Sequence, residues 1–184
     1  MAAALLLIDL QEAIRDPAWA RHGPRNNPGA ESNQAVLLAL WRARGDPVIH
    51  IRHDSKVAGS AYRAGTPGHA FLDHARPLPG ETIVAKTVNC AFIGTDLEAH
   101  LRSRGIEVLV VAGVITNNSV EATVRVAGNL GFDVRLVGDA CFTFAVRDGD
   151  GRVHAAENVH ALSLANMAGE YAEIVGTAAV LHDC

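Results

Sequence analysis

The stretch Val108-Leu109-Val110-Val111-Ala112 constrains this chain more than any other. It is apolar, mostly β-branched and without a polar interruption. Strands with one wet face alternate, so this run reads as a strand buried on both faces. It passes through a tight turn, Gly113 to Asn118, into a helix opening with Asn118-Ser119-Val120-Glu121-Ala122-Thr123, running to Leu130 and stopping at Gly131. Such a unit lifts Ser119 to the rim of a sheet and aims free backbone N–H groups at whatever binds there. Every α/β protein has strand–turn–helix units, so its meaning depends on what stands at the other strand ends.

The remaining elements follow the same grammar. Ala2 to Leu10 is a continuous apolar strand, and the proline-bearing segment Asp16 to Gly29 is a loop. Glu31 to Arg44 is a helix stopped by Gly45, and Pro47 to Arg52 a strand. His53 to Gly80, rich in Gly, Pro and His, reads as a long functional loop with short helices of its own. Thr82 to Ala85 is a strand ending at Lys86. Thr95-Asp96-Leu97-Glu98 is a capping box that starts a helix ending before Gly105. Asp133 to Val137 is a strand and Gly138 to Gly151 a loop, in which Asp148-Gly149-Asp150-Gly151 is a tight turn and not a calcium loop. Ala155 to Tyr171 is a long helix and Ile174 to Leu181 a final strand. Strands alternating with helices specify an α/β fold with a mostly parallel sheet covered on both faces. With no repeat or linker, residues 1–184 read as a single domain.

Composition removes several classes of function. At 184 residues, 49% hydrophobic and 20% charged, the chain can bury a sizeable core. A net charge of −4 with no basic run argues against nucleic-acid and anionic-membrane partners. No apolar run reaches transmembrane length, and the opening residues read as a strand, not a signal peptide. Three cysteines, Cys90, Cys141 and Cys184, without metal-type spacing fit a reducing cytoplasm.

In an open α/β sheet, ligands bind outside the carboxyl ends of the strands. Asp9, Lys86 and Ser119 stand at or just past three such ends. A carboxylate after Leu5-Leu6-Leu7-Ile8 is costly unless paired, and Lys86 is a natural partner that would leave Asp9 ionised as a base. Taken singly, each residue has a plainer role: Asp9 a cap, Lys86 an edge-strand gatekeeper, Ser119 a helix N-cap. Their joint placement shifts the balance toward a site.

Leu7-Ile8-Asp9-Leu10-Gln11, Lys86-Thr87-Val88-Asn89-Cys90-Ala91-Phe92, Gly94-Thr95-Asp96-Leu97, Gly113 through Thr123 and His160-Ala161-Leu162-Ser163-Leu164-Ala165-Asn166-Met167 together resemble the isochorismatase-like cysteine hydrolases. The resemblance runs in order over nearly the whole chain. It implies a three-layer α-β-α, Rossmann-like fold with a six-stranded, mostly parallel sheet, assembled as a homodimer or homotetramer. It also implies hydrolysis of a C–N amide-type bond in a small molecule through a covalent acyl-enzyme. The implied catalytic residues are Asp9 as base, Lys86 as supporting charge and Ser119 at the nucleophile position. The backbone N–H groups of Ile115 and Ser119 form the implied oxyanion hole, and a cis peptide is placed at Val114–Ile115. Gln11, His53, Asn89 and Phe92 are expected to contact substrate, with the loop His53 to Phe71 and Phe142 or Phe144 closing the pocket.

Ser119 departs from the family, which has cysteine there. A thiol with a pKa of about 8.5 is easily deprotonated, whereas a serine hydroxyl usually needs a histidine base. Ser119 is either an engineered replacement of a native cysteine or the mark of a natural branch. If natural, vinyl-ether cleavage with Asp9 as general acid rises as an alternative, as does a catalytically silent ligand-binding relative. Cys90 or Cys141 as a substitute nucleophile is a further, weaker option. Asn117 stands where many relatives carry an acid. His50-Ile51-Arg52-His53-Asp54-Ser55 does not reproduce the Asp-x-His order of the family's metal-binding nicotinamidases, so neither a metal nor another cofactor is expected.

Overall fold

A computed structural model describes residues 3–182; Ala2, expected to open the first strand, and Cys184 lie outside the described residues. The chain runs β1 (Ala3–Ile8), α1 (Ala30–Arg44), β2 (Val48–His53), β3 (Thr82–Lys86), α2 (Leu97–Ser103), β4 (Val108–Val114), α3 (Glu121–Asn129), β5 (Asp133–Phe142), β6 (Val146–Arg147), β7 (Val153–His154), α4 (Ala156–Met167), β8 (Glu173–Val175) and α5 (Thr177–His182). Six of these strands form one parallel sheet in the order β3-β2-β1-β4-β5-β8, as expected for a layered α/β fold.

β1 shows why its sequence lacks polar positions. Ala4, Leu6 and Ile8 pack into the core on one face of the sheet, and Leu5 and Leu7 into the core on the other. Each such leucine or isoleucine, removed from water, contributes about 1.5–3 kcal/mol. β1 pairs with β2 on one side and β4 on the other, so the strand order reverses between β1 and β4. That reversal opens a crevice at their carboxyl ends.

Four expectations are corrected. The final segment is not one long strand: β8 ends at Val175, and Thr177–His182 is a helix. Asp139 Oδ1 accepts hydrogen bonds from Thr177 N–H and Oγ1 (2.8 and 2.7 Å) and anchors the first turn of that helix. α4 stops at Met167, because Ala168 leaves the helical region and Gly169 turns the chain with φ +77°. β5 continues to Phe142, through a stretch read as loop. Its Gly138, Asp139, Ala140 and Cys141 carbonyls accept from the side-chain amides of Asn27, Asn33 and Gln34, a long-range clamp that periodicity cannot reveal. The capping box does not close: Thr95 Oγ1 accepts from Leu97 N–H (3.3 Å), while Glu98 faces Arg102.

At the amino-terminal end of the sheet, Arg42 reaches both oxygens of Glu81 (2.7 and 2.9 Å), and His50 Nε2 (2.8 Å) and Leu78 N–H (2.8 Å) also donate to it. Burial opposes ionisation of Glu81, but these donors outweigh it and hold its carboxyl down at about 2. A depressed carboxyl stabilises the fold at neutral pH and loses that contribution as pH falls from its ordinary 4.5 toward about 2. Glu81→Gln is therefore expected to lower unfolding free energy by about 2–3 kcal/mol at neutral pH, and urea titrations should show the gap closing over that acid window.

Gly113 makes the close approach of the end of β4 to its parallel neighbour β1 possible. It has φ +144°, and a Cβ there would stand 2.3 Å from the Ile8 carbonyl oxygen and 2.6 Å from its nitrogen. Backbone cannot yield as a flexible side chain can. Gly113→Ala is expected to cost at least about 2 kcal/mol in denaturant unfolding.

Candidate active site

The crevice between β1 and β4 holds a buried ion pair. Asp9 follows the last residue of β1 in the left-handed region, with φ +53°, a conformation that Asp tolerates better than most residues. Its N–H donates to Ile51 O (2.9 Å), and its carbonyl accepts from Gln11 N–H (2.8 Å). Lys86, the last residue of the edge strand β3, is only 1% exposed and is no gatekeeper. Its Nζ donates to Asp9 Oδ2 at 2.7 Å, to Ser119 Oγ at 3.2 Å and to His53 Nδ1 at 3.3 Å. An ammonium has three protons and no acceptor, so these three bonds use it fully. His53 therefore accepts on Nδ1 and is neutral there. Burial, then the Lys86 charge, hold His53 below the ordinary histidine value, against the pull of Asp9 and Asp54.

Asp9 is pulled both ways. Burial raises its pKa, while Lys86 and then the Ser119 hydroxyl lower it; burial wins, and the carboxyl lies above its ordinary 3.8. Its second oxygen, Oδ1, is buried and has no hydrogen-bond partner among the described residues. A buried, unpaired carboxylate oxygen beside a hydroxyl is equipped to take or give a proton.

Ser119 lies in one wide π-type turn, Thr116–Val120, between β4 and α3. The N-caps of the turn and of α3 are Ile115 and Val120, so Ser119 is not a helix N-cap. The Val114–Ile115 peptide is cis. Ile115 O accepts from Asn118 N–H (3.1 Å) and Val120 N–H (3.4 Å), closing the turn. Outside it, Thr116 Oγ1 meets His160 Nδ1 at 2.8 Å, Asn117 Oδ1 accepts from Thr143 Oγ1 at 2.5 Å, and Ser163 Oγ donates to Glu121 Oε2 at 2.6 Å. The turn is thus tied to α4 and to the end of β5.

A pocket of about 510 Å³, its open mouth included, lies over these groups. Of the predicted site residues, Asp9, His53, Asn89, Ile115 and Ser119 line it, with Lys86 beneath. Asn89 Nδ2 donates to Asn118 Oδ1 across the mouth. Two expectations are corrected. Phe92 stacks on Phe132 in the core (5.9 Å) and does not line the pocket. Gln11 is wholly buried and spends its amide on the backbone: Nε2 donates to His53 O and His69 O, and Oε1 accepts from His53 N–H. It positions His53 and does not face the pocket. The expected closing residues Phe142 and Phe144 stand behind Trp19, whose ring stacks on Phe144 at 6.0 Å.

Trp19, Ser60, Tyr62, Val114 and Asn118 also line the pocket. Trp19 had no signal within its own proline-bearing segment. Tyr62 lay inside the long loop already marked as functional, and its ring meets the His53 ring edge-on at 5.6 Å. The alternative thiols are poorly placed. Cys90 and Cys141 do not line the pocket, and burial pushes the Cys141 thiol up to about 12, the reverse of activation. No cluster of three or more His, Cys, Asp or Glu side chains suited to a metal occurs among the described residues.

Lys86→Met is expected to strand the Asp9 carboxylate and cost about 3–5 kcal/mol. Asp9→Asn combined with Lys86→Met should recover much of that loss, and a double-mutant cycle in denaturant measures the coupling.

Comparison with known proteins adds an independent line. A family model described as "Isochorismatase domain" matches residues 3–179. The uncharacterized isochorismatase family protein YrdC of Bacillus subtilis is 39% identical over 98% of this chain and 95% of its own length. Streptothricin hydrolase of Streptomyces noursei is 34% identical over 97% of this chain and 63% of its own. Ureidoacrylate amidohydrolase RutB of Rhizobium rhizogenes is 34% identical over 49% of this chain and 37% of its own. Among solved structures, one described as a hydrolase of the isochorismatase family from Chromobacterium violaceum superposes with a TM-score of 0.94 at 58% identity, covering 98% of this chain and 92% of that one.

Proposed function

The chain belongs to the isochorismatase family of hydrolases, and on that premise we propose that it hydrolyses a C–N amide-type bond of a small molecule through an acyl-enzyme on Ser119. The observation that carries this reading is the shared ammonium: Lys86 Nζ bonds both Asp9 Oδ2 and Ser119 Oγ within a buried site. One relative, a ureidoacrylate amidohydrolase, supports C–N chemistry, and another, a streptothricin hydrolase, supports hydrolysis of a small molecule. Ser119 then stands in the place of the family's nucleophilic cysteine.

In this mechanism Asp9 Oδ1 takes the Ser119 hydroxyl proton as Oγ attacks the amide carbonyl. Lys86 stabilises the negative charge growing on Oγ. The backbone N–H groups of Ile115 and Ser119 receive the tetrahedral oxyanion. Asp9 returns its proton to the departing nitrogen, the C–N bond breaks and ammonia or an amine leaves. Water then attacks the Ser119 ester; Asp9 accepts its proton and passes it to Oγ, releasing the carboxylic acid. The raised pKa of Asp9 helps, because a more basic carboxylate is a better match for a reluctant hydroxyl.

The same raised carboxyl and its unpartnered Oδ1 favour a second reading, in which protonated Asp9 acts as general acid on a vinyl ether and Ser119 is no nucleophile. The two differ in sign. If Asp9 is a base, kcat/KM falls as pH falls through its raised pKa; if an acid, the rate falls as pH rises through it. Wild type, Ser119→Ala, Ser119→Cys and Asp9→Asn are to be assayed on primary amides, ureido acids, lactams and isochorismate, with product followed by mass. Expected are amide turnover, at least about a 10³-fold loss in Ser119→Ala and in Asp9→Asn, and a gain in Ser119→Cys. Isochorismate cleavage that survives Ser119→Ala but not Asp9→Asn would replace the first reading by the second. Retained ligand binding with no turnover in any form would make the chain a silent binder.

A further inference from the structure

His53 borders the catalytic pocket, yet both of its ring nitrogens are spent inside the protein. Nδ1 faces the Lys86 ammonium at 3.3 Å, and the ring donates its N–H to the Val88 carbonyl. An ammonium has no lone pair, so Nδ1 is the acceptor and the proton sits on Nε2. Lys86 and Val88, two residues apart in the chain, thus dictate the tautomer from both sides of the ring.

The ring is also fixed in place. Gln11 holds the His53 backbone at both ends: Oε1 accepts from its N–H (2.7 Å), and Nε2 donates to its carbonyl (3.2 Å). The Tyr62 ring closes on it edge-on at 5.6 Å. Asp54, next in the chain, spends its oxygens on Arg52 and His69. So rigid a mounting is out of proportion for a side chain that only fills space.

Three acceptors surround Lys86 Nζ, one for each proton: Asp9 Oδ2, Ser119 Oγ and His53 Nδ1. Anchoring one N–H on a rigid ring sets the rotation of the other two, which then point at the carboxylate and at the nucleophile. Lys86 is only 1% exposed, so without Nδ1 that proton faces protein and not solvent, and the ammonium must turn to share its remaining acceptors. A neutral imidazole suits the place. A carboxylate there would compete with Asp9 for the ammonium, and a hydroxyl could donate as well as accept.

We propose that His53 is a positioning residue, whose neutral Nε2–H tautomer presents Nδ1 to Lys86 and so aims the ammonium at the Ser119 oxygen. Its use in catalysis rests on the amide-hydrolase reading, in which Lys86 stabilises charge growing on that oxygen. His53 acts through Lys86 and touches no reacting atom.

The test puts a thiol at position 119, where the rate of alkylation by iodoacetamide reports the thiolate without any substrate. Ser119→Cys is compared with the same change combined with His53→Asn, which keeps an acceptor near the place of Nδ1, or with His53→Leu, which has none. At pH 7 the variant with leucine is expected to react about tenfold more slowly than Ser119→Cys alone, and the variant with asparagine within about threefold of it. No slowing with leucine overturns the proposal. Equal slowing with asparagine and leucine also overturns it, because packing of the ring and not its acceptor would then be what counts. A second measurement needs no change at position 119 or 53 in the protein observed: nitrogen-15 NMR of the wild-type histidines, with the His53 signals identified by their loss in His53→Asn. The Nε2–H tautomer is expected at neutral pH, and a proton on Nδ1 refutes the proposal. If no form turns over any amide, the amide reading has failed, while alkylation and tautomer still decide whether His53 positions Lys86.

Discussion

The Lys86–Asp9 ion pair is the interaction on which the rest of the site depends. Both side chains are almost wholly removed from solvent, and the contact is 2.7 Å. Burying two charges costs several kcal/mol per ion before their attraction is counted, so such a pair is weak evidence of stability and better evidence of use. It also fixes position. Lys86 comes from the edge strand and Asp9 from a central one, with β2 between them. The pair can form only if β2 and β3 keep their register, His53 opposite Lys86, and if Gln11 anchors the His53 backbone on both sides. The long lysine stem spans the gap, and its remaining protons orient Ser119 and His53.

The opposing half of the site depends on a close approach and not on a charge. Gly113 allows β4 to press on the Ile8 backbone, which brings the turn bearing Ser119 against the end of β1. The turn itself is held from outside by Thr143, just past β5, and by His160 and Ser163 of α4. These contacts lie away from the pocket, so they restrict the turn without competing for a ligand. A positioned hydroxyl loses less freedom on reaching the reactive geometry than a mobile one.

Much of this was legible in the sequence because it rests on local pattern. Uninterrupted apolar runs gave β1 and β4, Gly45 and Gly131 gave helix ends, and polar residues after apolar strands pointed to Asp9, Lys86 and Ser119. What escaped depends on long-range polar contacts. β5 extends past Val137 because amides of Asn27, Asn33 and Gln34 satisfy its carbonyls. Thr177 starts a helix because Asp139 accepts from it. Phe92 and Gln11 follow the same logic in reverse: both sit next to site residues in sequence, yet one turns into the core and the other into a backbone clamp.

In the proposed mechanism serine is a demanding nucleophile, and the electrostatics bear on how it would serve. The Lys86 ammonium donates to Oγ, which eases loss of the hydroxyl proton but also stabilises the alkoxide and so dulls its attack. A carboxylate at its ordinary value would be too weak a base to exploit the first effect. Here burial raises Asp9 against the pull of Lys86, leaving one oxygen unbonded and the carboxylate more basic. The desolvation that makes the ion pair expensive is thus the same desolvation that strengthens its base.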